Sequence, residues 1–283
     1  PFVIFSIYFG GLWFVALMIF ALIICIQELD TMLIIKGYQL HKIVFYFFII
    51  LFLFSLNLFP LTISSLICSF LIFDFFEINV FFYSLVFFLF CELFANKNRI
   101  NIGNYLLNVF SINWIFWGIL SIIKIRLIEN SIWDLFNFDL GYYFVLIMFL
   151  SIWVCDSFAF IMGSKFGKKK IFPKVSPNKT WLGALSGYLF TLLFLYLFVL
   201  LNEAYNFNIP LLLSDIILLS FIFGVISQFG DYIESYIKRK FNVKDSGKIL
   251  QGHGGMLDRL DSLILVAPFF ILYLKFVKGF TIL

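Results

Sequence analysis

Charge is scarce in this chain: only 13% of its 283 residues are Asp, Glu, Lys or Arg. Soluble domains carry about a quarter, so there is too little polar surface here to cover a water-facing sphere. Histidine is scarcer still, with His41 and His253 alone, which excludes a histidine-rich metal centre. Cys25, Cys68, Cys91 and Cys155 sit in or beside apolar runs with no CxxC spacing. They read as small buried hydrophobes rather than a disulfide framework or a thiolate metal site. No GxxxxGK[ST] run is present, which excludes a Walker phosphate loop. The first apolar run lacks a basic leader and a small-residue cleavage site, so a cleavable signal peptide is not expected.

What is present is apolar: 63% of the residues are hydrophobic and 43 are Phe. At about 20 apolar residues per crossing, this length holds roughly eight to ten transmembrane helices. A membrane β-barrel would alternate apolar with polar residues, whereas runs such as Val44–Phe54 are apolar on every face. The expected fold is all-α, a polytopic transmembrane helical bundle of about nine helices. Apolar segments fall near Val3–Ile26, Ile43–Phe59, Leu61–Phe73, Ile78–Ala95, Ile102–Ile123, Leu140–Gly163, Leu182–Leu201, Leu211–Phe229 and Leu263–Phe280. Gly10 and Gly11 are placed to split the first of these. No repeat or linker separates the halves. The chain reads as one membrane domain, with N-terminal helices over 1–139 and a C-terminal catalytic part with two polar loops over 140–283.

Those loops hold most of the positive charge. Ser164–Thr180 carries Lys165, Lys168, Lys169, Lys170, Lys174 and Lys179 with no acid. Gly230–Asp261 carries Lys238, Arg239, Lys240, Lys244, Lys248 and Arg259 against five acids. Two helices separate the loops, so both emerge on one face, and the positive-inside rule makes that face cytoplasmic.

Asp258 and Asp261 are three apart, on one face of a helix whose apolar body begins at Leu263. Asp231 holds the mirror position after the run ending at Phe229. Singly, each aspartate reads as a helix cap. As a set, beside six cations and Gly252-His253-Gly254-Gly255, they suit a hard divalent ion that prefers oxygen ligands. Glycines there let backbone amides approach a phosphate, and Lys238, Arg239 and Lys244 add donors that no neutral substrate requires. His253 alone reads more readily as a structural hydrogen-bonder than as a catalyst. Lys168–Lys170 read as attraction to anionic lipid headgroups. Ser176, Pro177, Asn178, Lys179 and Thr180, set before a helix, gather hydroxyl, amide and ammonium donors into a workable phosphate cradle. Asp156, inside an apolar helix, should face a polar cavity rather than lipid. Glu28, Glu77 and Glu92 read as interfacial.

At this point a family resemblance appears. Ser235, Lys238-Arg239, Lys244-Asp245, His253-Gly254-Gly255 and Asp258-Arg259-Leu260-Asp261, in that spacing, resemble the signature of phosphatidate cytidylyltransferases. Asp156, Ala159, Gly163, Phe166-Gly167-Lys168 and Ser176–Thr180 resemble that family's other characteristic stretch. The motifs cover about Asp156–Ser262; this chain departs from the pattern at Phe160, Leu182 and Gln251, where Tyr, Glu and Pro are expected. The resemblance implies transfer of CMP from CTP to phosphatidate with Mg²⁺, giving CDP-diacylglycerol and pyrophosphate. It implies Asp231, Asp258 and Asp261 on metal, and catalytic roles for Lys238, Arg239, Lys244, Asp245, His253 and Arg259. Ser176, Asn178, Lys179, Thr180, Ser235, Gly254 and Gly255 would bind substrate. The expected partners are CTP, phosphatidate and membrane lipids, with no nucleic acid; a homodimer is compatible. The expected location is a bacterial inner membrane, with the site on the cytoplasmic face. Two rivals stay open: a related CTP-dependent enzyme acting on a polyprenol or ether lipid, and a transporter whose loops bind an anion.

Overall fold

A computed structural model describes residues 2–55, 88–89, 101–128, 139–205, 209–247 and 254–280. Eight helices occupy them: α1 (Phe2–Phe9), α2 (Gly11–Ile34), α3 (Lys42–Ser55), α4 (Ile102–Arg126), α5 (Leu140–Phe166), α6 (Trp181–Tyr205), α7 (Leu213–Lys240) and α8 (Leu257–Phe276). Five of these (α2, α4, α5, α6 and α7) are long and apolar enough to cross a membrane. The chain is a multi-pass membrane protein of helical-bundle class, as its composition requires. The expected segment Leu61–Phe73 lies outside the described residues, as does nearly all of Ile78–Ala95.

The first apolar run does split at the glycine pair. Gly10 and Gly11 adopt φ of 59° and 51°, a left-handed backbone that residues with a Cβ avoid. Helix α2 then runs on to Ile34, well past the expected end at Ile26. Helix α7 likewise continues through the polar stretch to Lys240, so Gly230–Lys240 is helix rather than loop. Its amphipathic end packs Gly230 and Glu234 inward and turns Arg239 and Lys240 outward. Helix α8 starts at Leu257, which puts Asp258 and Asp261 in its first turns ahead of the apolar body from Leu263.

Helices α5 and α6 form the closest pair. A Cβ at Gly183 would lie 2.6 Å from the Ala159 carbonyl, and one at Gly187 would lie 2.9 Å from that of Cys155. Small residues at this seam let the backbones meet, as expected where no hydrophobic effect drives helices together in lipid. The opposite face of α6 exposes Leu185, Leu189, Leu193, Tyr196 and Leu200, a stripe suited to acyl chains.

Between α5 and α6 lie the only strands among the described residues, β1 (Lys170–Phe172) and β2 (Ser176–Thr180), paired antiparallel. The sequence Ser176–Thr180 is therefore extended rather than a tight turn. Trp181 donates its amide to the Lys169 carbonyl at 3.1 Å, Phe172 lies on Tyr232 with ring centroids 4.0 Å apart, and Arg239 Nε donates to the Val175 carbonyl at 3.3 Å. These contacts bring the two basic stretches together on one face of the bundle.

Candidate active site

The hairpin, α5, α6 and α7 enclose a cavity of about 360 Å³. Asp156, Ser176, Asn178, Lys179, Thr180, Gln228 and Asp231 line it, with Ala159, Phe160 and Gly183. Its centre is an ion pair: Lys179 Nζ lies 2.7 Å from Asp231 Oδ2 and donates to the Gln228 carbonyl at 3.5 Å. Ser235 Oγ, one turn on, donates to Asp231 Oδ1 at 3.3 Å. Thr180 is buried, and its Oγ1 accepts from the Gly183 amide at 3.1 Å, so it caps α6 and fixes the end of β2.

Behind Asp231 stands Asp261, 8% exposed, with α7 and α8 crossing at this level. A Cβ on Gly230 would come 2.7 Å from the Asp261 carbonyl oxygen, so glycine allows the crossing. The carboxylates of Asp156, Asp231 and Asp261 act on one another electrostatically, and the Lys179 ammonium acts on both Asp156 and Asp261. Burial and the charges of Asp231 and Asp156 push the Asp261 carboxyl above the usual carboxylate range. Among the described residues, no three His, Cys, Asp or Glu side chains converge into a ready-made metal cage.

Asp258 faces elsewhere. Its Oδ1 lies 2.7 Å from Lys238 Nζ, and its Oδ2 accepts from the amides of Ser246 at 3.0 Å and Gly255 at 2.7 Å. Burial would raise this carboxyl, but hydrogen bonds from Glu234, Lys238 and the two amides hold it well below the usual carboxylate range. Lys238 pairs also with Glu234 at 2.7 Å. Of the three aspartates expected on metal, then, Asp231 and Asp261 stand together, while Asp258 braces α7 against α8 through Lys238. Lys244, Asp245 and Arg259 lie exposed on the same face, and Gly254 takes φ of 81° beside Asp258. His253 and Gln251 lie outside the described residues.

Two residues take part without having been expected to. Gln228 Nε2 donates to Gly224 O at 2.8 Å and Ala184 O at 3.1 Å, stapling α7 to α6. The Gly224 carbonyl belongs to a π-helical stretch, Phe221–Ile226, where the ordinary ladder is interrupted. A single amide in a long apolar run was the available signal. Glu28 corrects an expectation: it is 4% exposed rather than interfacial, and is fully hydrogen-bonded inside the bundle.

Next to the polar cavity runs an apolar groove of about 290 Å³, lined by Ile171, Phe172, Trp181, Ala184, Leu185, Tyr188, Val225, Phe229 and Tyr232. Ile171, Lys179, Ala184 and Gln228 belong to both walls. Leu182, where the resemblance expects a carboxylate, is 42% exposed.

A helical membrane bundle with a charged cavity at one end, opening beside an apolar groove, defines the class as a polytopic helical membrane protein with a polar site at one end. The comparisons narrow that class. The sequence model of the cytidylyltransferase family matches residues 1–277, and the chain belongs to that family. It is 47% identical over 128 residues to the phosphatidate cytidylyltransferase of Staphylococcus haemolyticus, covering 45% of this chain and 47% of that one. It is 38% identical over 142 residues to that of Thermotoga maritima, covering 50% and 52%. The corresponding Haemophilus influenzae protein is 39% identical over 142 residues, covering 48% and 47%. The chain spans about half the length of the curated relatives it matches.

Proposed function

We propose that the chain transfers CMP from CTP to phosphatidate, yielding CDP-diacylglycerol and pyrophosphate, on the cytoplasmic face of a bacterial inner membrane. The observation that carries this reading is the shared wall. One lysine, Lys179, borders both a cavity of phosphate-binding character and a groove fit for acyl chains. A lipid phosphate and a nucleotide phosphate can therefore meet while the lipid tails stay in apolar surroundings.

Both reactants are polyanions, so the task is neutralisation and alignment. Lys179, with the Ser176 hydroxyl and the Asn178 amide, would hold phosphate oxygens on the hairpin side. An oxygen of the lipid phosphate attacks the α-phosphorus of CTP, a new P–O bond forms, and the bond to pyrophosphate breaks. The attacking phosphate is already ionised at neutral pH, so no side chain need take a proton.

The donor set fits Mg²⁺ in kind. This ion is commonly held by one or two carboxylates with substrate phosphates completing the shell, and Asp231 and Asp261, with Asp156 near, are hard oxygen donors of that sort. When bound, the ion would offset phosphate charge at the α- and β-positions. Asp231 and Asp261 would be the groups that hold the ion, and the Lys179 ammonium, paired with Asp231 here, would be the group that holds phosphate.

A transporter would need a polar path across the bundle. Here the hydroxyls of Ser111, Ser121, Thr191 and Ser220 donate to carbonyls of their own helices rather than lining a path, and the polar cavity lies at one end of the described helices. That favours the enzyme. The test is product analysis with purified protein, CTP, Mg²⁺ and either phosphatidate or a polyprenol. CDP-diacylglycerol from the first mixture alone is expected; turnover of the polyprenol alone would move the reading to the rival lipid enzyme.

A further inference from the structure

Helix α8 carries Asp261, and its start is tied to a residue from the other end of the chain. Glu28 lies in the body of α2, on the far side of the loop that follows α7. Its Oε1 accepts from the Met256 amide at 2.9 Å. Its Oε2 accepts from the Leu257 amide and from Ser246 Oγ, each at 2.9 Å. The opening amides of a helix have no partner within it and carry its positive dipole end, so a buried carboxylate there is both satisfied and held. The third amide, that of Gly255, goes to Asp258 of α8 itself. Glu28 is thus the bond from another helix that sets where α8 begins.

The close fit explains two glycines. At Gly247 and Gly255, the place a Cβ would take is filled by the Glu28 carboxylate, joined at Gly255 by Ser246 Oγ. Little more than one turn after these amides comes Asp261, at the level where α8 crosses Gly230, one residue before Asp231. A displacement of the start of α8 moves Asp261 against Asp231, because the helix between them is rigid.

We infer that Glu28 is a positioning residue: by holding the amides of Met256 and Leu257 and the hydroxyl of Ser246, it keeps Asp261 set against Asp231. This rests on the reading of Asp231 and Asp261 as the cation site. Spacing along the chain does not reveal it, since the partners lie more than two hundred residues apart.

The test measures cation binding apart from turnover. Mn²⁺ serves as the probe, and its binding to the purified full chain in micelles is followed by electron paramagnetic resonance, for the parent, Glu28→Gln and Asp261→Asn. Glutamine keeps the size but points an amide group at donors. Loss of a partner that orients a metal ligand lowers affinity by about 10–100-fold, and a weakening in that range is expected for Glu28→Gln, with complete loss for Asp261→Asn. A lower melting temperature with parent-like Mn²⁺ affinity would reduce Glu28 to a structural role and overturn the inference, and so would a parent that binds no Mn²⁺. If Glu28→Gln does not fold, Ser246→Ala removes one of the three donors and should weaken binding in the same direction; parent-like affinity there overturns the inference as well. A parent that binds Mn²⁺ but makes no CDP-diacylglycerol would sink the proposed reaction, and the effect of Glu28→Gln on binding would still decide this one.

Discussion

Lys179 Nζ and Asp231 Oδ2 lie 2.7 Å apart, and this pair is one of the links between the β-hairpin and α7, at the centre of the cavity. The two side chains are part-exposed, so the pair is not a buried brace of the kind formed by Lys238 and Asp258. Exposed pairs contribute about 0–1 kcal/mol to stability, which leaves both groups available for chemistry. Under the proposed reaction the pair is a charge pattern for phosphate and cation rather than a device for folding.

Lys179→Met keeps most of the apolar stem and removes the charge. Losing one preorganised donor to a developing phosphate charge costs about 10²–10³ in kcat, and a fall of that size is expected with little change in melting temperature. CTP-dependent formation of radiolabelled CDP-diacylglycerol measures it. Turnover within a factor of a few of the parent would remove Lys179 from the site.

Asp258 and Asp261 should separate cleanly although only two residues lie between them. Asp258→Asn leaves Lys238 buried beside Glu234 with one partner fewer, and breaking a buried pair costs about 3–5 kcal/mol, so the variant should melt well below the parent. Asp261→Asn replaces a carboxyl whose charged form burial and its acidic neighbours already disfavour, so it should keep or raise stability while abolishing activity. Thermal denaturation in micelles and turnover of the folded fraction distinguish the two. Equal stability of both variants, with equal loss of activity, would return Asp258 to the cation site.

How much of this was legible in the sequence differs from one residue to the next. Membrane class and helix positions follow from uninterrupted apolar runs, which leave the chain no other way to satisfy its backbone. The cavity residues Ser176, Asn178, Lys179 and Asp231 stood out because polar groups clustered next to helix ends. The different neighbours of Asp258 and Asp261 did not, because a spacing of three puts both on one face of the helix and only packing decides which neighbour each meets. Glu28 was hidden by its segment boundary: drawn at Ile26, the run left it outside, whereas α2 carries it on to the middle of the bundle. Short strands were also hidden, since Lys170–Phe172 has no alternation long enough to read.

Helices α6 and α7 lie between the hairpin and the loop after α7, and the Arg239–Val175 bond joins the two stretches, so single cysteines at Lys169 and Asp245 should be accessible from one side. Both positions are exposed. In a background with the native cysteines replaced, a membrane-impermeant maleimide should label both in inverted vesicles and neither in intact cells. Opposite labelling of the two would contradict the shared face, and joint labelling from outside would reverse the cytoplasmic assignment.

The groove makes the final prediction. Ala184 stands on the wall common to groove and cavity, with Leu185 and Trp181 further along the apolar side. Enlarging Leu185 to Trp fills groove volume without touching Lys179 or Asp231. If acyl chains lie there, KM for long-chain phosphatidate should rise, since each displaced methylene forfeits about 0.8 kcal/mol of burial and two are worth more than tenfold. A short-chain phosphatidate that does not reach Leu185 should be less affected, and KM for CTP should not move. The discriminating quantity is the ratio of long-chain to short-chain kcat/KM in mixed micelles of fixed surface concentration. An unchanged ratio would place the lipid tails away from Leu185 and outside this groove, and would leave Lys179 as the meeting point of two phosphates with no apolar channel leading to it.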